Sequence, residues 1–85
     1  MFSIDHIGVA VKSLTTAKAI YEKLGLKLAP EETVEGEQVR VIMVPLGESR
    51  LELLEPTSEN SVIAKFIAKR GEGLHHVSLL SLIHI

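Results

Sequence analysis

Residues 74–80 read LHHVSLL, and laid over residues 4–10, IDHIGVA, they repeat a pattern. In each stretch an apolar residue stands two before a histidine (Ile4 before His6, Leu74 before His76). An apolar residue follows directly (Ile7, Val77), and then a small one (Gly8, Ser78). An internal repeat constrains architecture before any single element is assigned, because each copy must fold as the same supersecondary unit. The implied order is one β-α-β-β-β unit beginning near Ile4 and a second copy beginning near Leu74, of which only the first strand is present.

The intervening chain fits that unit. Ile4 to Val11 predicts a strand whose central Gly8 marks a place where another group approaches the backbone. Ser13 is placed to cap a helix from Leu14 to Leu24, with Leu14, Ala17, Ile20, Tyr21 and Leu24 on one apolar face and Gly25 where a left-handed terminating residue is wanted. Three strand-like runs follow: Leu26–Val34, interrupted by Pro30 and so expected at an edge; Gln38–Leu46, rich in β-branched residues; and Arg50–Pro56, reached through Gly47-Glu48-Ser49 as a hairpin. A short helix is expected over Ser61–Lys69, with Val62, Ile63, Phe66 and Ile67 on its apolar side. Fold class is therefore α+β, with a module over 1–56, a helical linker over 57–73 and a further strand over 74–79.

Composition narrows the function. An 85-residue chain holds at most one small domain, and its 46% apolar content is enough to build a core. Net charge is −2 with mixed signs, which argues against a nucleic-acid partner. The chain has no cysteine, so disulfides, thiolate metal sites and cysteine nucleophiles are excluded. No apolar run approaches membrane-spanning length, and MFSIDHIGVAVK has no basic segment leading into an apolar core. No membrane partner and a cytoplasmic location are expected. Phosphate-binding glycine loops and a serine nucleophile elbow are absent. Lys65, Lys69 and Arg70 form a small basic patch, read as a solvated helix face.

Strand alternation gives the chemistry. His6 is expected to share a face with Ile4, Gly8 and Ala10; Glu52 with Arg50 and Leu54; and His76 with Leu74 and Ser78, opposite His75, Val77 and Leu79. Two imidazoles and a carboxylate on three strands form a donor set suited to a hard or borderline divalent cation, with positions left for water or substrate. The same residues also admit a plainer reading, in which each histidine is a hydrogen-bonded structural residue and Glu52 a solvated charge.

The stretches IDHIGVAV, YEKLGLKL, LELLEP and SVIAKFIAKRGEGLHHVSL together resemble the methylmalonyl-CoA epimerases of the vicinal oxygen chelate superfamily, which includes glyoxalase I. The histidine strand and the LGL segment are shared widely across that superfamily. The stretch from Ser61 to Val77 is more particular to the epimerases. The resemblance covers about Ile4 to Leu79. It implies a glyoxalase-like fold, His6, Glu52 and His76 as ligands of a divalent metal such as cobalt, manganese or zinc, and His75 as a neighbour. It also implies methylmalonyl-CoA as substrate, epimerised at C2 through an enolate, and a homodimer in the full-length protein. The family completes its site with a glutamate late in the second module; no catalytic base is assigned within this chain, and the chain alone is expected to be inactive. Leu80–Ile85, LSLIHI, departs from the family pattern and matches a translated adapter used in DNA library preparation; it is expected to be a non-native tail, and His84 is not counted as a ligand. Two alternatives stay open: another metal enzyme of the superfamily, either a glyoxalase-like lyase or a dioxygenase, and a metal-free small-molecule binding protein on the same fold.

Overall fold

The computed structural model describes residues 2–81. Its elements are β1 (Phe2–Ala10), α1 (Leu14–Lys23), β2 (Glu32–Val34), a 3-10 turn (Glu35–Glu37), β3 (Val39–Leu46), β4 (Ser49–Pro56), α2 (Val62–Arg70) and β5 (Gly73–Ser81). They form one five-stranded sheet in the order β2-β3-β4-β1-β5. β2, β3 and β4 make an antiparallel meander, β1 lies parallel to β4, and β5 runs antiparallel to β1 along its other side. The parallel pairing is made possible by α1, which carries the chain across before the meander returns it to β1.

Alternation along the strands divides the apolar residues between two faces. Ile42, Val44 and Leu53 meet Val11, Leu14 and Ala17 beneath α1. Val39, Val41 and Leu54 meet Ala10 and Ile63 beneath α2. Leu53 and Val44 are wholly buried, so the meander forms the centre of the core. Both helices start as their serines imply: the Ser13 side chain accepts from the Thr16 amide at 3.2 Å, and that of Ser61 from the Ala64 amide at 2.9 Å. At the end of α1, Gly25 has φ +85°, a conformation that glycine adopts without the steric cost of a Cβ.

Two expectations change. The strand expected over Leu26–Val34 contracts to Glu32–Val34, because Leu26 and Leu28 turn inward onto the core beneath α1; the last three residues form the ladder with β3, and before them Ala29 donates one backbone hydrogen bond to the Met43 carbonyl at 2.9 Å. The last strand does not stop at Leu79: Leu80 pairs with Ser3 and Ser81 with Phe2. Of the tail expected over 80–85, residues 82–85 lie outside the described residues. Among the described residues no helix is long and apolar enough to cross a membrane.

Candidate metal centre

Three strands bring His6, Glu52 and His76 together. Gly8 of β1 stands opposite Glu52 of β4 and opposite His76 of β5, so the residues around Gly8 form a common floor. A Cβ at Gly8 would overlap the His76 imidazole, which lies directly over this glycine. The close approach anticipated from sequence is therefore the ring of His76 itself. One donor atom from each of His6, Glu52 and His76 lies within 4.8 Å of the others. The two Nε2 atoms of the histidines are 3.2 Å apart, and His76 Nε2 is 3.8 Å from Glu52 Oε1. Adjacent ligands of one ion held at about 2.1 Å stand about 3.0–3.4 Å apart, so the nitrogen pair already has the separation of two ligands sharing a cation. Two imidazoles and a carboxylate are also the right donors for zinc, manganese or cobalt. The residues present fit such an ion.

The expected faces hold for Glu52 with Leu54, for His6 with Gly8 and Ala10, and for His76 with Ser78, but alternation breaks just before each histidine. The β1–β5 register slips by one residue between Ile4 and His6, and again between Gly8 and Val9, where His76 and Leu74 are the partners. Each slip is a β-bulge that interrupts alternation. Asp5 therefore reaches the same side as His6: its Oδ2 accepts from His6 Nδ1 at 2.8 Å and from the Arg50 guanidinium at 3.1 Å. The hydrogen bond from His6, aided by the charge of Arg50, holds the Asp5 carboxyl below its ordinary value against the smaller opposing effect of burial. His75 is likewise not turned away. Its Nδ1 lies 2.8 Å from His76 Nδ1, and its ring meets Phe66 edge-on with centroids 4.9 Å apart.

A cavity of about 450 Å³ opens beside these residues, walled by Glu37, Gln38, Glu52, Ser61, His75 and His76 among others. Glu37 and Gln38 reach it from the 3-10 turn. Gln38 closes that turn in the left-handed region, φ +56° and ψ +49°, an uncommon conformation for a residue with a Cβ. Asp5, Glu37 and Gln38 stand in no sequence motif that marks them as site residues. Only the charge run VEGEQ ahead of a strong strand hinted at the last two.

The sequence profile of the Glyoxalase/Bleomycin resistance protein/Dioxygenase superfamily matches residues 5–81. The chain belongs to this superfamily. An uncharacterised protein of Bacillus subtilis is 43% identical over 81 residues, covering 94% of this chain and 58% of its own length. The mitochondrial methylmalonyl-CoA epimerase of Bos taurus is 36% identical over 78 residues, covering 89% of this chain and 45% of its own length. Among solved structures, a hypothetical protein of Bacillus halodurans superposes with TM-score 0.87 at 47% identity, over 92% of this chain and 57% of that one. A methylmalonyl-CoA epimerase in complex with methylmalonyl-CoA and NH4+ superposes with TM-score 0.83 at 40% identity, over 87% of this chain and 56% of that one. This glyoxalase-superfamily chain thus spans about half the length of the relatives it matches.

Proposed function

We propose that the chain is the metal-binding half of an epimerase acting at C2 of methylmalonyl-CoA or a closely similar acyl-CoA. The observation that carries this reading is the convergence of His6, Glu52 and His76 beside a cavity that Glu37 also lines. The epimerases among its relatives supply the substrate class. His6, Glu52 and His76 would hold a divalent cation such as cobalt, manganese or zinc. When bound, the cation supplies positive charge that stabilises negative charge developing on the substrate carbonyl as the C2 proton leaves.

Inverting C2 requires a proton to leave one face and return to the other, so two proton-transfer groups are the simplest arrangement. Glu37, which lines the cavity, is the carboxylate of this chain that we assign to one face. The half of the relatives that this chain does not span is the source of the second group and of a further ligand. In this reading the module of residues 1–56, the linker of 57–73 and β5 act as one side of a composite site.

The test uses this chain joined to the second module of an epimerase relative, loaded with cobalt or manganese, with deuterium exchange at C2 followed separately for each epimer. Glu37→Gln is expected to slow exchange from one epimer about a hundredfold more than from the other, since a positioned base contributes on the order of 10²–10⁴ in rate. His76→Ala and removal of metal with a chelator are expected to abolish exchange from both. Equal exchange from the two epimers in Glu37→Gln would remove Glu37 from the account, and exchange that survives metal removal would remove the cation.

A further inference from the structure

We propose that Asp5 and His75 are paired positioning residues: each occupies a β-bulge directly before its histidine and engages that histidine's Nδ1, so that Nε2 of His6 and Nε2 of His76 face each other. In a regular strand consecutive side chains leave opposite faces, and residue i−1 cannot reach the ring of residue i. The β1–β5 ladder breaks this rule at two places only within its register, with Asp5 as the extra residue on β1 and His75 as the extra residue on β5. The outcome is the same at both: a 2.8 Å contact to Nδ1 of the histidine that follows. The repeat seen in IDHIGVA and LHHVSLL therefore has a physical content beyond apolar spacing, because each copy carries its own bulge and its own orienting side chain.

Both partners are themselves held from another element. Arg50 on β4 fixes the Asp5 carboxylate at 3.1 Å, and Phe66 on α2 packs edge-on against His75. Their chemistry differs, however. A carboxylate can only accept, so His6 must place its proton on Nδ1, and its Nε2 carries a lone pair toward His76. His75 can either donate or accept. The 3.2 Å between the two Nε2 atoms can be spanned by a cation held between them or, where no cation is bound, by one proton. In the second case, with Asp5 fixing His6, that proton belongs on His76 Nε2, and His75 donates from Nδ1 to His76 Nδ1. For His76 to present a bare Nε2 to a cation, its proton moves to Nδ1 and His75 becomes the acceptor. Asp5 is thus the fixed end of the chain of contacts and His75 the adaptable end. Partners of this kind orient ligating imidazoles and raise their basicity, and losing one costs about 10–100-fold in metal affinity.

The purpose of this arrangement rests on the metal-binding reading, but its geometry does not, and the experiment separates the two. Two-bond proton–nitrogen correlation spectra of the metal-free chain report which nitrogen of each imidazole is protonated. They are recorded for the 85-residue chain and for the same chain joined to a relative's second module, so that a variant unfolded in one host is read in the other. Unchanged chemical shifts away from the site establish that each variant is folded. His6 is expected with its proton on Nδ1; Asp5→Ala moves it toward Nε2, and Asp5→Glu recovers the Nδ1 form. Cobalt affinity, read from visible absorption, is expected to fall about 10–100-fold in Asp5→Ala. His75→Phe keeps the contact with Phe66, and is expected to leave the His6 proton where it is while weakening cobalt binding. A wild-type His6 protonated on Nε2, or an Asp5→Ala spectrum identical to wild type at His6, overturns the proposal. A chain that shows the Nδ1 proton on His6 and its loss in Asp5→Ala, yet binds no cobalt, supports the positioning role and sinks the metal reading alone.

Discussion

Gly8 carries the tightest steric condition in the site. Its missing side chain is the space in which the His76 ring lies, so Gly8→Ala cannot be accommodated without moving either that ring or the β1–β5 pairing. The substitution is expected to weaken cobalt or manganese binding at least tenfold and to destabilise the fold by about 1–3 kcal/mol, the usual range for overpacking. Calorimetric metal titration beside thermal unfolding checks both, and full metal affinity in Gly8→Ala would show that His76 is not held where β5 places it. The sequence made this residue conspicuous because a glycine within a β-rich run needs a reason. It could not say which group approaches. That depends on the pairing of β5 with β1 across about seventy residues, which no local pattern encodes. Asp5 was hidden for a related reason: strict alternation sends it away from His6, and only the bulge brings it back.

Among the elements, the meander dominates stability. Leu53 is wholly buried at its centre, and Leu53→Ala is expected to cost about 3 kcal/mol, within the 2–5 kcal/mol found for truncating buried leucines. Val62, at the start of α2, is 69% exposed, and Val62→Ala serves as the near-neutral control in the same denaturant titration. Ser61→Ala should lie between the two, at about 1 kcal/mol, because it removes the cap from the Ala64 amide; α2 also carries Ile63 and Phe66 against the site face. Equal costs at Leu53 and Val62 would mean that the sheet is not the cooperative core. β3, β4 and both helices were legible because their signals are local: β-branched runs, a polar turn, a capping serine and apolar residues at helical spacing. β2 was over-extended because Leu26 and Leu28 look like strand residues but satisfy their apolar character by packing under α1. Glu55 was equally opaque, since it accepts from the Leu14 amide at 2.8 Å and from Arg40 at 2.6 Å, and so joins the start of α1 to the meander by contacts remote in sequence.

At the scale of the molecule, among the described residues, the sheet ends on one side at the three-residue β2 and on the other at the nine-residue β5. A short edge is poorly suited to further pairing, whereas a long one offers a row of unpaired backbone groups. β5 also carries exposed apolar side chains, with Val77 at 47%, Leu79 at 61% and Leu80 at 48% accessible, and Leu79 stands opposite Ile4, itself 43% exposed. An apolar cross-strand pair in water beside a free edge favours association. The 85-residue chain is therefore expected to self-associate at micromolar concentration, with a thermal midpoint that depends on protein concentration. Leu79→Lys adds a charge to the edge of the sheet and should shift the chain toward monomer without reaching the core, because Leu79 belongs to neither buried cluster. Sedimentation velocity across a hundredfold range of concentration measures both forms. If the unmodified chain stays monomeric throughout, with a sharp midpoint independent of concentration, then β5 is a tolerated edge and the sheet needs no further strand beside it.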